Sequence, residues 1–325
     1  MIARRTALVA IATLVASPRL ALAQAQPAQV AVLFAGDADD DEPIARAFFD
    51  ELRRLGWIEG RNIAFELLSG RGMRDYVDRL ASHAADLNPS LIYATTATIA
   101  LAAARITDTV PIVFTTTSDP AASALTELLA RPGRNTTGSY HATGDALHRR
   151  LSLAKELLPK LTRIGMLLDR RGIGYEDQSN AYPAAARRAG LELAVVEFTN
   201  YEAIAKILSG FRRDGITTLT LGSSFTLFAR RRDIALAAAR SELAIVAHRV
   251  EWAEAGALLT YGPDVADSQL RAARIANRIL KGGAPGSIPA EQSTKFQLVL
   301  NRRTAVALGI AIPPALQKRA DRIVE

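Results

Sequence analysis

The chain has 325 residues, a net charge of +7 and no cysteine. The length suggests two domains of about 150 residues each. The absence of cysteine excludes disulfides, cysteine-ligated zinc, iron–sulfur clusters, a cysteine nucleophile and a lipid on an N-terminal cysteine.

The first 23 residues have the order of parts found in a secretory signal. Arg4 and Arg5 form a basic start, residues 7–16 are apolar, and a small-x-small site ends at Ala23. Ten apolar residues are too few for a spanning helix, which needs about 20. We predict a signal peptide over 1–23, exported by the general or the twin-arginine route, and a periplasmic product without a lipid anchor. Its removal leaves a net charge of +4.

Short apolar runs alternate with segments of helical spacing along the rest of the chain. This order predicts parallel strands with helices on both faces. The first unit is predicted as strand 29–34, helix 43–55, strand 62–68, helix 76–87, strand 91–94, helix 97–105, strand 111–114 and helix 119–130.

The same alternation starts again after a connecting segment. It is predicted as a helix through 158, strand 163–168, helix 182–189, strand 193–198, helix 201–211, strand 217–221, helix 228–241, strands 244–247 and 256–261, helix 265–280, strand 295–300 and a helix to 308. We therefore predict an α/β fold of two lobes, each a parallel sheet flanked by helices. The first lobe takes 29–139 and 262–290, the second takes 140–261, and 291–325 is not assigned to either.

Ligands of open parallel sheets bind beyond the carboxyl ends of the strands. The predicted loops at those ends hold hydroxyl groups and glycines, which suit a carboxylate or another small polar acceptor at a helix N-terminus. They also hold aromatic rings that can stack on a ligand. The candidate ligand-binding residues are Gly36, Asp37, Thr95, Thr96, Thr117, Ser118, Tyr175, Ser223, Ser224, Phe225, His248 and Tyr261.

Signatures of other chemistry are weak. The Ser152-x-x-Lys155 pattern lacks its companion elements and lies in a predicted structural helix. The four histidines have no metal-ligating spacing. The paired arginines are dispersed without interleaved aromatics, which indicates solvated surface and not a nucleic-acid groove. We predict no catalytic residue, no metal, no cofactor and no nucleic-acid partner.

Six segments together resemble one family over essentially the whole mature sequence. They are 55–62 (LGWIEGRN), 111–114 (PIVF) with 118–120 (SDP), 131–138 (RPGRNTTG), 259–264 (LTYGPD), 294–301 (TKFQLVLN) and 307–314 (ALGIAIPP). The chain resembles the ABC-transporter substrate-binding proteins of the tryptophan-binding type. Arg134 departs from the family's usual glycine, and segment 169–175 departs from its usual Asn-Pro loop.

The resemblance implies a type I-like periplasmic binding fold, with a small molecule held between the lobes and delivered to membrane permease subunits. We expect a monomer that binds an amino acid or an aromatic or carboxylated compound. Three alternatives remain at this point. They are a periplasmic sensor that signals to a membrane receptor, a transcriptional regulator, which would need an N-terminal helix-turn-helix, and an exported enzyme using Asp37, Asp119 and His248.

Overall fold

A computed structural model describes residues 26–37, 45–116, 125, 134–141, 145–172 and 174–325. The predicted signal segment, Thr117, Ser118 and all of the predicted helix 119–130 except Leu125 lie outside the described residues. The described strands form two sheets, of six and seven strands.

The first sheet has the strand order β11-β5-β4-β3-β1-β2, and all its pairings are parallel. Its strands are β1 (Ala28–Phe34), β2 (Ile63–Ser69), β3 (Leu91–Ala94), β4 (Ile112–Thr116), β5 (Thr136–His141) and β11 (Glu291–Ser293). The central strands are buried on both faces, as in a parallel sheet covered by helices.

Four described helices cover this sheet, namely α1 (Arg46–Arg54), α2 (Val77–Asp86), α3 (Ala97–Ile106) and α10 (Val265–Leu280). Helices α2 and α3 pack on one face, and α1 and α10 pack on the other. On the second face the ring of Phe48 stacks on Tyr93, with centroids 3.8 Å apart. The sheet and these helices form the first lobe.

The second sheet has the order β13-β12-β10-β9-β8-β6-β7. Its pairings are parallel except that of β10 with β12. Its strands are β6 (Arg163–Asp169), β7 (Glu192–Phe198), β8 (Thr218–Leu221), β9 (Ala244–Ala247), β10 (Leu259–Pro263), β12 (Phe296–Asn301) and β13 (Arg322–Val324).

The remaining described α-helices pack around this second sheet and form the second lobe with it. They are α4 (Ala146–Leu157), α5 (Tyr175–Arg188), α6 (Ile204–Arg213), α7 (Phe225–Ala229), α8 (Arg231–Arg240), α9 (Val250–Ala255), α11 (Arg302–Ala307) and α12 (Pro314–Arg319). Helices α4 and α5 cover one face, and α6 to α9 cover the other.

The chain passes between the two sheets three times. It leaves β5 of the first sheet for α4, which packs on β9 and β10 of the second. It returns from β10 to α10, and then runs from β11 of the first sheet directly to β12 of the second. Because β1 to β5 are parallel to one another, as are β6 to β10, each lobe gathers the carboxyl ends of these strands at one edge.

Several predicted boundaries were wrong. The helix predicted over 182–189 begins at Tyr175, because Gly174 takes the left-handed φ of 80° directly before it and Pro183 is accommodated inside the helix. The helix predicted over 228–241 begins at Phe225 and is divided at Arg230. Tyr175 and Phe225 are therefore the first residues of helices and not loop residues. Strands β5, β11 and β13 and helices α9 and α12 were not predicted.

Candidate functional site

On the first lobe, the loop after β1 lies beneath the loop after β2. Backbone amides of the second loop donate to carbonyls of the first, from Gly70 to Phe34 (2.8 Å), from Arg71 to Gly36 (2.9 Å) and from Gly72 to Ala35 (2.7 Å). Gly36 is buried by this contact, and Asp37, the next residue, is exposed. The loop after β2, which was not predicted as part of the site, thus covers a loop that was.

The hydroxyls after β3 bind backbone atoms of their own lobe. Thr95 Oγ1 donates to the carbonyl of Leu33 over 2.9 Å. Thr96 Oγ1 accepts from the amide of Ile99 over 3.3 Å, which makes Thr96 the N-cap of α3. Both residues stay half-exposed at the carboxyl edge of the first sheet.

On the second lobe, a buried carboxylate organises the loops after β6 and β8. Asp169, the last residue of β6, accepts from Ser224 Oγ (2.7 Å) and from the amide of Arg171 (3.0 Å). Ser224 Oγ also accepts from the amide of Leu227 and so caps α7. Asp169 begins a loop that the sequence indicates as a candidate, but it was not selected among the ligand-binding residues.

Ser223 is held by a side chain from α5. Its amide donates to Gln178 Oε1, and its carbonyl accepts from Gln178 Nε2 over 2.9 Å. This two-point contact fixes the loop after β8 against the start of α5. Ser224 is therefore brought together with Asp169, and Gln178 holds Ser223 beside Ser224.

The two lobes touch at this end of the cleft. Met73 of the first lobe forms an antiparallel β-bridge with Gly172 of the second, and Arg171 Nη2 lies 3.2 Å from Met73 Sδ. Phe225 packs against the core of the first lobe that lies between its sheet and helices α2 and α3. The structure thus holds the lobes in contact at the loops after β2, β6 and β8.

The hydroxyl of Tyr175 does not contact the other candidate residues. That hydroxyl donates to Glu197 Oε1 over 2.7 Å, on the edge strand β7. The hydrogen bond to Glu197 raises the pKa of Tyr175 above its ordinary value.

Arg150 of α4 is a buried cation at the carboxyl edge of the second sheet. Its side chain is only 6 % exposed. Nε donates to the carbonyl of Tyr261 over 2.8 Å, and Nη1 donates to Tyr182 Oη over 3.3 Å. Tyr182 in turn donates to the carbonyl of Leu221, the last residue of β8, over 2.9 Å. Burial lowers the pKa of the guanidinium, and Tyr182 opposes that shift.

Sequence reasoning missed Arg150 because it adjoins Arg149 and the pair was interpreted as solvated surface. The available signal was helical spacing. Arg150 lies four residues after Ala146 and four before Ala154, on the face that α4 buries, whereas Arg149 is exposed.

His248 follows β9 and lies near Arg150. Its Nδ1 atom is buried and makes no hydrogen bond to any described residue. Burial, and then the charges of Arg150 and Arg249, hold the pKa of His248 well below its ordinary value. The imidazole is therefore neutral at neutral pH.

Tyr261 lies in the middle of β10, the strand from which the chain returns to the first lobe. Its ring stacks on Phe296 of β12, with centroids 5.7 Å apart and planes 15° apart. His141, at the end of β5, meets the edge of Phe296 at 5.9 Å. This aromatic cluster, formed by Tyr261, Phe296 and His141, joins all three passages between the lobes.

Ion pairs and hydrogen bonds also connect the segments that pass between the lobes. Asp267 of α10 accepts from Ser293 Oγ (2.7 Å) and pairs with Arg271 and Lys295, each at 2.8 Å. Burial opposes ionisation of Asp267, but these three donors outweigh it and hold its pKa below the ordinary value. His141 Nδ1 lies 3.0 Å from Ser268 Oγ, and burial lowers the pKa of His141. The beginning of α10 is thereby tied to both β5 and β11.

The described residues offer no group of three or more histidines, aspartates or glutamates placed to hold a metal ion. Within the same ranges, no helix is both long and apolar enough to cross a membrane. A surface pocket of about 430 Å³ lies at the amino ends of β4 and β5, beside Asp108, Arg134 and Asn135. It is at the opposite edge of the first sheet from the candidate residues.

Comparisons with known proteins agree with this architecture. A family model described as ABC transporter substrate binding protein matches residues 29–324. A tyrosine-binding protein of Clostridioides difficile (strain R20291) is 23% identical over 263 residues, which cover 81% of this chain and 75% of that protein.

Two solved structures superpose over 92% of this chain and 100% of their own. One is a conserved domain protein of Vibrio cholerae O1 biovar eltor, with a TM-score of 0.80 and 24% identity. The other is an ABC domain from Streptococcus pneumonia in complex with L-Trp, with a TM-score of 0.79 and 21% identity. At these identities the likeness establishes the fold, a two-lobed α/β binding protein.

Proposed function

We propose a solute-uptake role from the premise that the chain belongs to the ABC transporter substrate-binding protein family. Members of that family act outside the cytoplasm and bind small molecules; they are not enzymes. The chain holds an amino acid, or a small aromatic or carboxylated compound, between its lobes and delivers it to the permease subunits of an ABC transporter.

The observation that carries this proposal is the meeting of the two lobes at their polar loops. The β-bridge between Met73 and Gly172, and the packing of Phe225 on the first lobe, are contacts that opening of the cleft would break. Hinge closure around a ligand uses contacts of this kind, and the permease can then distinguish the closed form from the open one.

Two further observations favour an amino acid with an aromatic side chain. The Tyr261–Phe296 stack offers an aromatic surface beside the polar loops, and stacked rings are a preferred arrangement for aromatic ligands. Relatives of this fold include the structure that holds L-Trp and the protein named for tyrosine.

The remaining parts of the proposal concern the chain as a whole. Residues 1–23 are a signal peptide that directs the protein to the periplasm, without a lipid anchor and as a monomer. The sequence predicts that the lobes divide at 139 and 261, and the extents of β5 to His141 and of β10 to Pro263 favour divisions about two residues later. Strand β11 belongs to the first lobe and residues 296–325 to the second, a division supported by the pairing of β11 with β5 and of β12 with β10.

A thermal-shift screen over amino acids, aromatic acids and sugars tests the ligand class. A ligand at 100 times its Kd stabilises the protein by about 2.7 kcal/mol. Tyr261→Leu is expected to reduce the shift produced by an aromatic amino acid, and Phe65→Leu, which changes a half-buried aromatic residue on β2, is the matched control. A shift that survives Tyr261→Leu unchanged would remove Tyr261 from the site. Deletion of the gene should reduce cellular uptake of the ligand.

A further inference from the structure

The buried guanidinium of Arg150 is placed to face the cleft. Helix α4 starts at the edge where the chain arrives from β5 and runs toward the beginning of β6. Side chains of a helix tilt toward its N-terminus, which here means toward the cleft. Arg150 reaches the carbonyl of Tyr261 directly and, through Tyr182, the carbonyl of Leu221. Leu221 is the last residue of β8, and Tyr261 follows Thr260, which pairs with Ala247 at the end of β9. The guanidinium therefore lies over the end of β9, between the two carbonyls.

No carboxylate among the described residues neutralises this charge. Arg150 takes part in no ion pair there, and its Nη2 group donates no hydrogen bond to a described residue. Asp169, the buried acid at the same edge, is occupied by Ser224 and the amide of Arg171. A buried charge without a counter-ion is costly, and this cost is recovered when an anion from outside the protein completes the pair.

His248 adds a second unpartnered group at the same place. It follows β9, the strand whose end Arg150 covers, and its buried Nδ1 makes no hydrogen bond to the described part of the chain. The groups around Arg150 are thus a tyrosine hydroxyl, two backbone carbonyls and a neutral imidazole. Three of them are already engaged in hydrogen bonds, so within the described ranges the imidazole and Nη2 are the groups left for a ligand.

We propose that Arg150, with His248 beside it, binds the carboxylate of the solute and makes that carboxylate a requirement for tight binding. This inference rests on the proposed function and deepens it, because it replaces the hydroxyl-bearing loops with a guanidinium as the group that holds the acid. A guanidinium presents a planar fork of donors that matches a carboxylate, which a lysine ammonium does not.

The bond from Arg150 to Tyr261 also connects the bound acid to the hinge. Tyr261 lies on β10, two residues before the strand ends at Pro263 and the chain turns back to the first lobe. An anion that fixes the guanidinium therefore fixes one of the three passages between the lobes as well. Carboxylate binding and lobe closure are coupled through this hydrogen bond.

The test compares acids with their neutral counterparts in isothermal titration calorimetry. The purified protein, stripped of ligand by unfolding and refolding, is titrated with L-tryptophan, L-tyrosine, L-tryptophanamide and L-tyrosinamide. We expect the acids to bind roughly 10–150-fold more tightly than the amides, the range for loss of a hydrogen bond to a charged group. Arg150→Gln should weaken the acids by a similar factor and leave the amides nearly unchanged.

Two variants control for charge and for folding. Arg149→Gln removes the same charge from the adjacent, exposed position and should leave all four affinities unchanged. Arg150→Lys keeps the charge but loses the fork, and should retain only part of the acid preference.

Each failure has its own pattern. Equal affinity of wild type for acid and amide, or acid binding that survives Arg150→Gln, overturns the inference. A neutral sugar that stabilises the protein while neither acid binds also overturns it, but leaves the solute-binding role intact. If nothing in the panel or the wider screen binds, both proposals fail.

Discussion

Replacing Gly262 by alanine is expected to damage both the fold and the ligand site. Gly262 lies on β10 opposite Gln297, and its backbone passes very close to His248. A Cβ built on Gly262 lies 2.8 Å from the carbonyl carbon of His248, and closer still to its oxygen. Because both atoms belong to the backbone, neither can rotate away as a side chain does.

The magnitude follows from that rigidity. Adding a methyl group to a well-packed interior costs about 1–3 kcal/mol, and a backbone neighbour places Gly262→Ala near the upper end, at about 2–3 kcal/mol. At about 2–4 °C per kcal/mol for a protein of this size class, the Tm should fall by about 4–12 °C. The displacement of His248 should also weaken ligand binding, since His248 adjoins Arg150.

A matched glycine-to-alanine variant is expected to raise stability instead of lowering it. Gly210 lies inside α6, where the nearest atom to an added Cβ is the end of the Arg213 side chain at 3.9 Å. Gly210→Ala should therefore raise stability by about 0.5–1 kcal/mol, the usual gain from alanine over glycine in a helix. Differential scanning calorimetry of both variants, with a titration of ligand, measures these effects. A Gly262→Ala protein that melts with wild type and binds equally well would refute the close approach.

Two further substitutions test the buried carboxylates. Glu51 accepts bonds from Arg54 and Arg274, and the Arg54 bond contributes most to lowering its pKa to about 2, with burial opposing. Because the pKa of Glu51 is lower in the folded protein, its ionised form stabilises the fold at pH values above about 4.5, the pKa in the unfolded chain. This stabilisation is lost as the pH falls toward 2. Because both arginines are more than half exposed, we expect Glu51→Gln to lower the free energy of unfolding by only about 1–2 kcal/mol at pH 7. In urea melts, the difference in unfolding free energy between this variant and the wild type should shrink as the pH is lowered. A difference that does not change with pH would contradict this. Ser224→Ala removes the N-cap of α7 and one donor to Asp169, so it should cost about 1–2 kcal/mol, whereas Ser224→Thr should retain most of the stability; equal urea midpoints for both variants would contradict the cap.

The regular elements could be predicted where burial follows an apolar pattern. Helix α10 and strand β3 have the bounds that the sequence indicates, since both have clear periodicity or an uninterrupted apolar run. Strand β5 was missed because it is polar yet buried. Asn135 before it donates to the carbonyl of Val110, and Thr137 donates to the carbonyl of Ile288, so distant backbone carbonyls satisfy these two side chains. No local pattern contains that information.

The candidate site was predictable only as a set of loops. Strand order places the loops after β3, β6 and β8 at the carboxyl edges of the two sheets. The structure brings Ser223 and Ser224 to the carboxyl edge of the second sheet. The orientation of individual side chains was not predictable. The hydroxyl of Tyr175 turns to an edge strand, and Arg150 reaches the edge from inside a helix.

The three passages between the lobes also determine when the protein can fold during its synthesis. Strand β11, at the edge of the first sheet, lies about 150 residues after its neighbour β5, and α10, which supplies one face of the first core, also comes late in the chain. The second sheet is closed by β12 and β13, at the very end. A chain that emerges amino end first therefore exposes apolar surface on both lobes until α10 and strands β11 to β13 have emerged. Such distant pairings slow folding, so the newly made chain keeps these apolar surfaces exposed for longer than a chain in which each lobe is one continuous segment.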